Sequence, residues 1–166
     1  NVHPGEFVIC DQFVNRTSGR LDTYFDGPEI KHVSPANPYC HCLRHTIIAA
    51  SQKLNIISHD SGTLVVVQGT RFSTRAESRE FRGQGWTVIG MTGYPEVILA
   101  RELDICFATI ALVTDYDAGL EGRTDVSPVS HSAVLDVVSD NAHKVKLLLA
   151  EVIANVSIVR CDYCNN

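Results

Sequence analysis

Residues 105–117 read ICFATIALVTDYD. No charge interrupts the run from Ile105 to Thr114, and β-branched and aromatic side chains dominate it, so it predicts one strand buried on both faces. Two aspartates, Asp115 and Asp117, follow where that strand leaves its sheet. A carboxylate beside a dry strand end is costly unless it is solvated, capped or paired. Strands buried on both faces belong to sheets with helices on either side, so the rest of the chain should alternate.

It does. Upstream, EFVICDQFV (6–14) predicts a strand, and residues 22–39 a long polar loop with three prolines. CLRHTIIAASQKL (42–54) predicts a helix with Leu43, Ile47, Ala50 and Leu54 on one face. TLVVVQG (63–69) is an apolar strand. Thr74 and Glu77 have the T-x-x-E spacing of a capping box, which predicts a helix to about Phe81. WTVIGM (86–91) predicts a strand, and YPEVILARE (94–102) a helix entered through Pro95. The longest helix is predicted from His131 to Val156. The order predicts an α/β layer fold in a single domain over residues 1–166.

The 166 residues carry a net charge of −5 and are 45% hydrophobic. This balance suits one real core and argues against a protein devoted to the nucleic-acid backbone. No apolar run reaches the roughly 18–20 residues of a membrane span, and none has the form of a signal peptide. A cytoplasmic protein with no nucleic-acid or membrane partner is expected.

Six cysteines are present. Cys10 and Cys106 lie in apolar runs, where cysteine acts as a small hydrophobe. Cys40, Cys42, Cys161 and Cys164 form two close pairs, and His41 and His45 are one helical turn apart. Structural zinc sites favour C-x-x-C knuckles, and one pair here is C-x-C. No metal ligand is assigned on this pattern.

Three strand exits carry polar residues at once: Ser73 in QGTRFS, Thr92 in GMTGYP and Asp115 in TDYD. In open α/β sheets the ligand crevice lies outside such ends, although turn chemistry also favours these residue types.

The continuous stretch from Gly69 to Asp117, GTRFSTRAESREFRGQGWTVIGMTGYPEVILARELDICFATIALVTDYD, resembles the nucleoside phosphorylase family, in its 5′-methylthioadenosine phosphorylase branch. PGEFVICDQFVNRT and HVSPANPYC are similar to the same family's entry strand and next loop. The resemblance implies a three-layer α/β sandwich with a central mixed sheet, assembled as a homotrimer. It implies phosphorolysis of 6-aminopurine nucleosides, 5′-methylthioadenosine or adenosine. Inorganic phosphate is the co-substrate, and no metal or organic cofactor takes part. It also implies that the chain is the C-terminal portion of such an enzyme. Its partner would then be the N-terminal lobe of the same enzyme, which carries most of the phosphate site. The alternative is a non-catalytic purine-binding or assembly remnant.

Carried over residue by residue, the resemblance makes Asp115 the catalytic group facing N7 and the 6-amino group of the base. A neutral carboxyl there can donate to N7, which requires a raised pKa in a dry site. Asp117 supports it. Ser73 stands at the other base edge, Phe72 against base and sugar, and Met91 under the ribose. Thr92 matches a phosphate-binding hydroxyl at a helix start, and His32 a loop histidine that reaches a neighbouring subunit. His131, Val134 and Leu135 match the residues around the 5′ group. Histidine at 131 departs from the apolar residue usual in this branch, which suits a 5′-hydroxyl. Gly69-Thr70 departs from the usual Gly-Pro, implying a looser loop ahead of Ser73.

Overall fold

A computed structural model of the chain describes residues 2–120, 124–126, 128–157, 159 and 161–164. The segment predicted as one opening strand is two. Strand β1 (Phe7–Ile9) and strand β2 (Gln12–Arg16) belong to different sheets, and the chain crosses between them at Cys10 and Asp11. The crossing is held by Gly62. Its N–H donates to Asp11 Oδ1 at 2.8 Å, and its carbonyl accepts the Asp11 N–H at 3.2 Å. A Cβ on Gly62 would lie 2.6 Å from Val8 Cγ1, so only glycine lets the next strand start this close to β1.

The first sheet has the order β3 (Ser58–His59), β1, β6 (Ile110–Leu112). Strand β1 runs parallel to β3 and antiparallel to β6, with Phe7 opposite Leu112 and Ile9 opposite Ile110. The second sheet, β2–β4 (Thr63–Val67)–β5 (Val88–Gly90), is wholly parallel, with Val14, Val65 and Ile89 in register. The predicted mixed pairing is present, but in two three-stranded sheets. Strand β6 is also far shorter than the apolar run suggested. Strand β1 offers it only three residues, and upstream carbonyls go elsewhere: Thr109 O accepts the Cys10 N–H at 3.0 Å and Phe107 O the Cys40 N–H at 2.8 Å.

Among the described residues, four helices complete the fold: α1 (His41–Lys53), α2 (Arg75–Gly83), α3 (Glu96–Glu102) and α4 (His131–Asn155). A short 3-10 turn follows at Asp162–Cys164. Strand alternation decides what each helix covers. Phe7 and Ile9 face Ile47 and Ala50 of α1 and Leu148 and Val152 of α4, with Leu43 and Leu54 packed alongside as the helical stripe predicted. Val8 and Cys10 face the other way, into Leu64, Val66, Tyr39, Tyr94 and Val97 of α3. Helices therefore cover both faces, in the layered α/β arrangement that the alternation predicts. Each fully buried side chain of this row contributes about 1.5–3 kcal/mol relative to exposure. Among the described residues, no helix is long and apolar enough to cross a membrane.

Candidate active site

The strand β6 exit is a tight, side-chain-closed turn. Asp115 Oδ1 accepts the Asp117 N–H at 2.7 Å, an Asx turn, and Asp115 Oδ2 accepts the Thr114 hydroxyl at 2.6 Å. Gly119 N–H closes onto Tyr116 O at 2.9 Å. Asp117 itself takes a left-handed φ of 53°, which Asp tolerates better than most residues. The Tyr116 hydroxyl meets His3 Nδ1 at 2.7 Å, tying the turn to the chain ahead of β1.

Both aspartates thus have local structural work. They also keep capacity for a ligand. A carboxylate offers about four lone-pair sites, of which two on Asp115 are engaged by these contacts. Asp117 Oδ2 is buried and has no hydrogen-bond partner among the described residues. A buried unsatisfied carboxylate oxygen is rare and calls for a donor.

Strands β4 and β5 are parallel neighbours, so their exits share one sheet edge. Phe72 and Ser73 follow the end of β4, and Met91 and Thr92 follow the end of β5, at the same end of the sheet. Phe72 is 49% and Met91 51% exposed, so neither is a core side chain. Thr92 is also exposed, but it is not at a helix start: α3 begins at Glu96, with Pro95 as its cap. Thr92 stands in the turn before it, where Gly93 takes a φ of 94° that favours glycine and a Cβ would press on Leu64 Cδ2 at 3.2 Å. The aspartate turn leaves the same core: Ala111 and Val113 pack on the cluster that contains Leu64, Val66 and Tyr94.

The loop ahead of Ser73, with Thr70 in place of proline, is tied to α2 by side-chain contacts. The Arg71 guanidinium forks onto Glu77 at 2.7 and 2.8 Å and also reaches Phe72 O at 3.1 Å. Glu77 completes the predicted capping box with Thr74. Hydrogen bonds from Arg71, then from Thr74, hold the Glu77 carboxyl down at about 2. Ser73 lines a groove of about 470 Å³ between the end of β4 and α2, together with Arg16, Gln68, Arg71 and Glu80.

The remaining matched residues lie apart from this edge in the sequence and at the surface. His32 is exposed on the long loop, and His131 is exposed as the first residue of α4, behind the N-cap Ser130. Val134 is half-buried and Leu135 53% exposed.

Two supporting residues escaped the sequence reading. Arg20 donates to Met91 O at 2.9 Å, to Tyr94 O, and to Val67 O at 3.4 Å, so one guanidinium spans the ends of β4 and of the Thr92 turn. The Tyr94 hydroxyl in turn donates to Asp22. Glu102, only 4% exposed, accepts the Thr23 hydroxyl at 2.6 Å and the Tyr24 N–H at 2.7 Å, stapling the long loop to α3. Neither residue belongs to a local motif, and no periodic signal marks them. The cysteine reading also needs correction. Cys106 is not a strand hydrophobe; its sulfur clusters with those of Cys40, Cys161 and Cys164, and Cys42 is not in that quartet.

Residues 1–154 match the Phosphorylase superfamily. The S-methyl-5′-thioadenosine phosphorylase of Thermofilum pendens is 47% identical over 161 residues, which is 97% of this chain and 60% of the relative. The protein of the same name from Mycolicibacterium smegmatis is 49% identical over 162 residues, 97% of this chain and 59% of the relative. Among solved structures, methylthioadenosine phosphorylase from Schistosoma mansoni in complex with adenine superposes with a TM-score of 0.84 at 30% identity. That match covers 91% of this chain and 59% of the other. The chain therefore spans about 60% of the length of these relatives.

Proposed function

The chain belongs to the phosphorylase superfamily, and from that footing we propose that the protein carrying it cleaves 6-aminopurine nucleosides by phosphorolysis. The substrate is 5′-methylthioadenosine, adenosine or both. The products are adenine and the corresponding ribose 1-phosphate, as purine and methionine salvage require. The observation that carries this reading is the aspartate turn, which holds two carboxyls at a strand exit and leaves one buried oxygen of Asp117 without a donor. The named relatives at 47% and 49% identity support it.

In the reaction a phosphate oxygen attacks C1′ as the bond from C1′ to N9 breaks, and the bonding pair leaves on the purine. The sugar passes through oxocarbenium character. The Asp115 carboxyl hands a proton to N7 and accepts from the 6-amino group with its other oxygen. The leaving base thereby departs neutral. Asp117 orients that carboxyl through the main-chain contact already formed. Ser73 meets the far base edge, Phe72 covers base and sugar, and Met91 lies under the ribose. Thr92 donates to the phosphate. His131 serves a 5′-hydroxyl, with Val134 and Leu135 as the apolar wall, and His32 serves a neighbouring subunit of a trimer. No metal or organic cofactor enters these steps. Six unbridged cysteines suit a reducing, cytoplasmic setting.

The test uses the longest natural form of the protein that contains residues 1–166. Adenine release is followed with and without inorganic phosphate on 5′-methylthioadenosine, adenosine and inosine. Phosphate-dependent release from the two adenine nucleosides supports the proposal, and binding of adenine without turnover contradicts it.

A further inference from the structure

Four thiols from three distant parts of the chain meet beside the start of α1. Cys40 is the N-cap of α1, Cys106 lies ahead of β6, and Cys161 and Cys164 frame the 3-10 turn. Their sulfurs all lie within 4.8 Å of one another. Cys40 Sγ is 3.3 Å from Cys161 Sγ, which is 3.4 Å from Cys164 Sγ. Cys40 and Cys164 are buried, and Cys106 and Cys161 are half-buried.

Thiols are weak donors and weak acceptors, so mutual S–H contacts give little reason for four of them to gather. A single ion gives a strong one. Zinc–sulfur bonds of about 2.3 Å place the corners of a tetrathiolate about 3.8 Å apart, inside the spread seen here. A disulfide pairing would instead divide the sulfurs two by two, at about 2.05 Å within each pair. Cys161 and Cys164 have the C-x-x-C spacing of a zinc knuckle, while Cys40 and Cys106 supply one ligand each from separate segments. One main-chain donor is aimed at the cluster. The Leu43 N–H, in the first turn of α1, points at Cys40 Sγ at 3.4 Å, a donor of the kind that supports metal-bound sulfur.

We propose that Cys40, Cys106, Cys161 and Cys164 bind one zinc-class divalent cation in a closed, structural tetrathiolate site. Each thiol releases its proton as it binds, and no electrons move. Four protein ligands leave no position for water, so the ion takes no part in phosphorolysis. It fastens the 3-10 turn to the start of α1 and to the segment feeding β6. That segment is already tied to the cap by the Cys40 N–H on Phe107 O, and it leads into the strand that carries Asp115.

The test is metal content and spectroscopy on protein purified under reductant without chelator. About one zinc per chain is expected, released when an organomercurial titrates the thiols. Cobalt substitution of the wild type should give the ligand-field and sulfur-to-metal charge-transfer bands of a tetrahedral tetrathiolate. Cys106→Ser and Cys161→Ser should lose the metal, whereas Cys42→Ser and Cys10→Ser should keep it. A reduced wild type that takes up neither zinc nor cobalt overturns the proposal. So does an intact mass short of two hydrogens per bridge with the thiols blocked to alkylation. Metal loss in Cys42→Ser equal to that in Cys106→Ser overturns the assigned ligand set.

Discussion

Glu77 holds Arg71 by a two-point fork, at 2.7 and 2.8 Å, with the same carboxylate that accepts the Thr74 N–H at 2.7 Å. One side chain therefore starts α2 and anchors the loop that presents Phe72 and Ser73.

The capping box and the fork are separable by mutation. Thr74→Ala should cost about 1 kcal/mol, the usual worth of a Thr N-cap, read as a lower urea midpoint at unchanged slope. Glu77→Gln keeps the reciprocal cap and weakens the fork, so its midpoint should fall less than that of Glu77→Ala. Acid adds a signature. The folded carboxyl sits near 2, against an ordinary 4.5. Its contribution is therefore complete above pH 4.5 and is lost as pH falls from there toward 2. Urea midpoints of wild type and Glu77→Gln, measured at stepwise lower pH, should converge below that window.

Arg20 is a positioning residue for the Thr92 turn. Removing it frees three carbonyls, those of Val67, Met91 and Tyr94. Arg20→Ala should lower kcat/KM by about 10–100-fold, the scale of a roughly 1 Å misplacement near a reacting group. The effect should be larger in KM for phosphate than in KM for nucleoside, because Thr92 is the displaced hydroxyl. Steady-state kinetics against both substrates decide this, and Arg20→Lys should recover only part of the loss, since a single ammonium cannot span the three acceptors.

Glu102 governs the long loop. Glu102→Ala leaves the Thr23 hydroxyl and the Tyr24 N–H without their acceptor, at about 1–3 kcal/mol for each group that stays buried. Limited proteolysis should show cleavage between residues 17 and 40 well before the rest of the chain, and the urea midpoint should fall.

The features legible in the sequence are those decided locally. The T-x-x-E box and the Leu43, Ile47, Ala50, Leu54 stripe depend on neighbours within one or two helical turns, and both formed as expected. The aspartate turn was visible as a strand exit. What the strand run could not disclose was its partner: β6 is short because β1 bends at Cys10 and Asp11, an event set by Gly62 far along the chain. Arg20, Glu102 and Cys106 were missed for the same reason. Each acts on groups 47 or more residues away, and an isolated Arg, a Glu on a helix or a Cys in an apolar run carries no local mark.

His131 is the proposed determinant of the 5′ preference. If it serves the ribose, adenosine should be accepted at least as well as 5′-methylthioadenosine, and His131→Val should shift the ratio of their kcat/KM values toward the thioether. An unpaired hydroxyl costs about 1–3 kcal/mol, or roughly 5- to 150-fold. An unchanged ratio places His131 outside the 5′ subsite.

In the proposed reaction, the strand exit at Thr114–Asp117 aims a carboxyl at a 6-aminopurine. Phosphate-dependent base release from adenosine and inosine, measured for wild type and Asp115→Asn, tests it most directly. The wild type should prefer the 6-amino nucleoside, and Asp115→Asn should lose at least about 10²-fold on that substrate, the low end for a positioned acid. Equal wild-type rates on both nucleosides, or undiminished adenine release by Asp115→Asn, would contradict it.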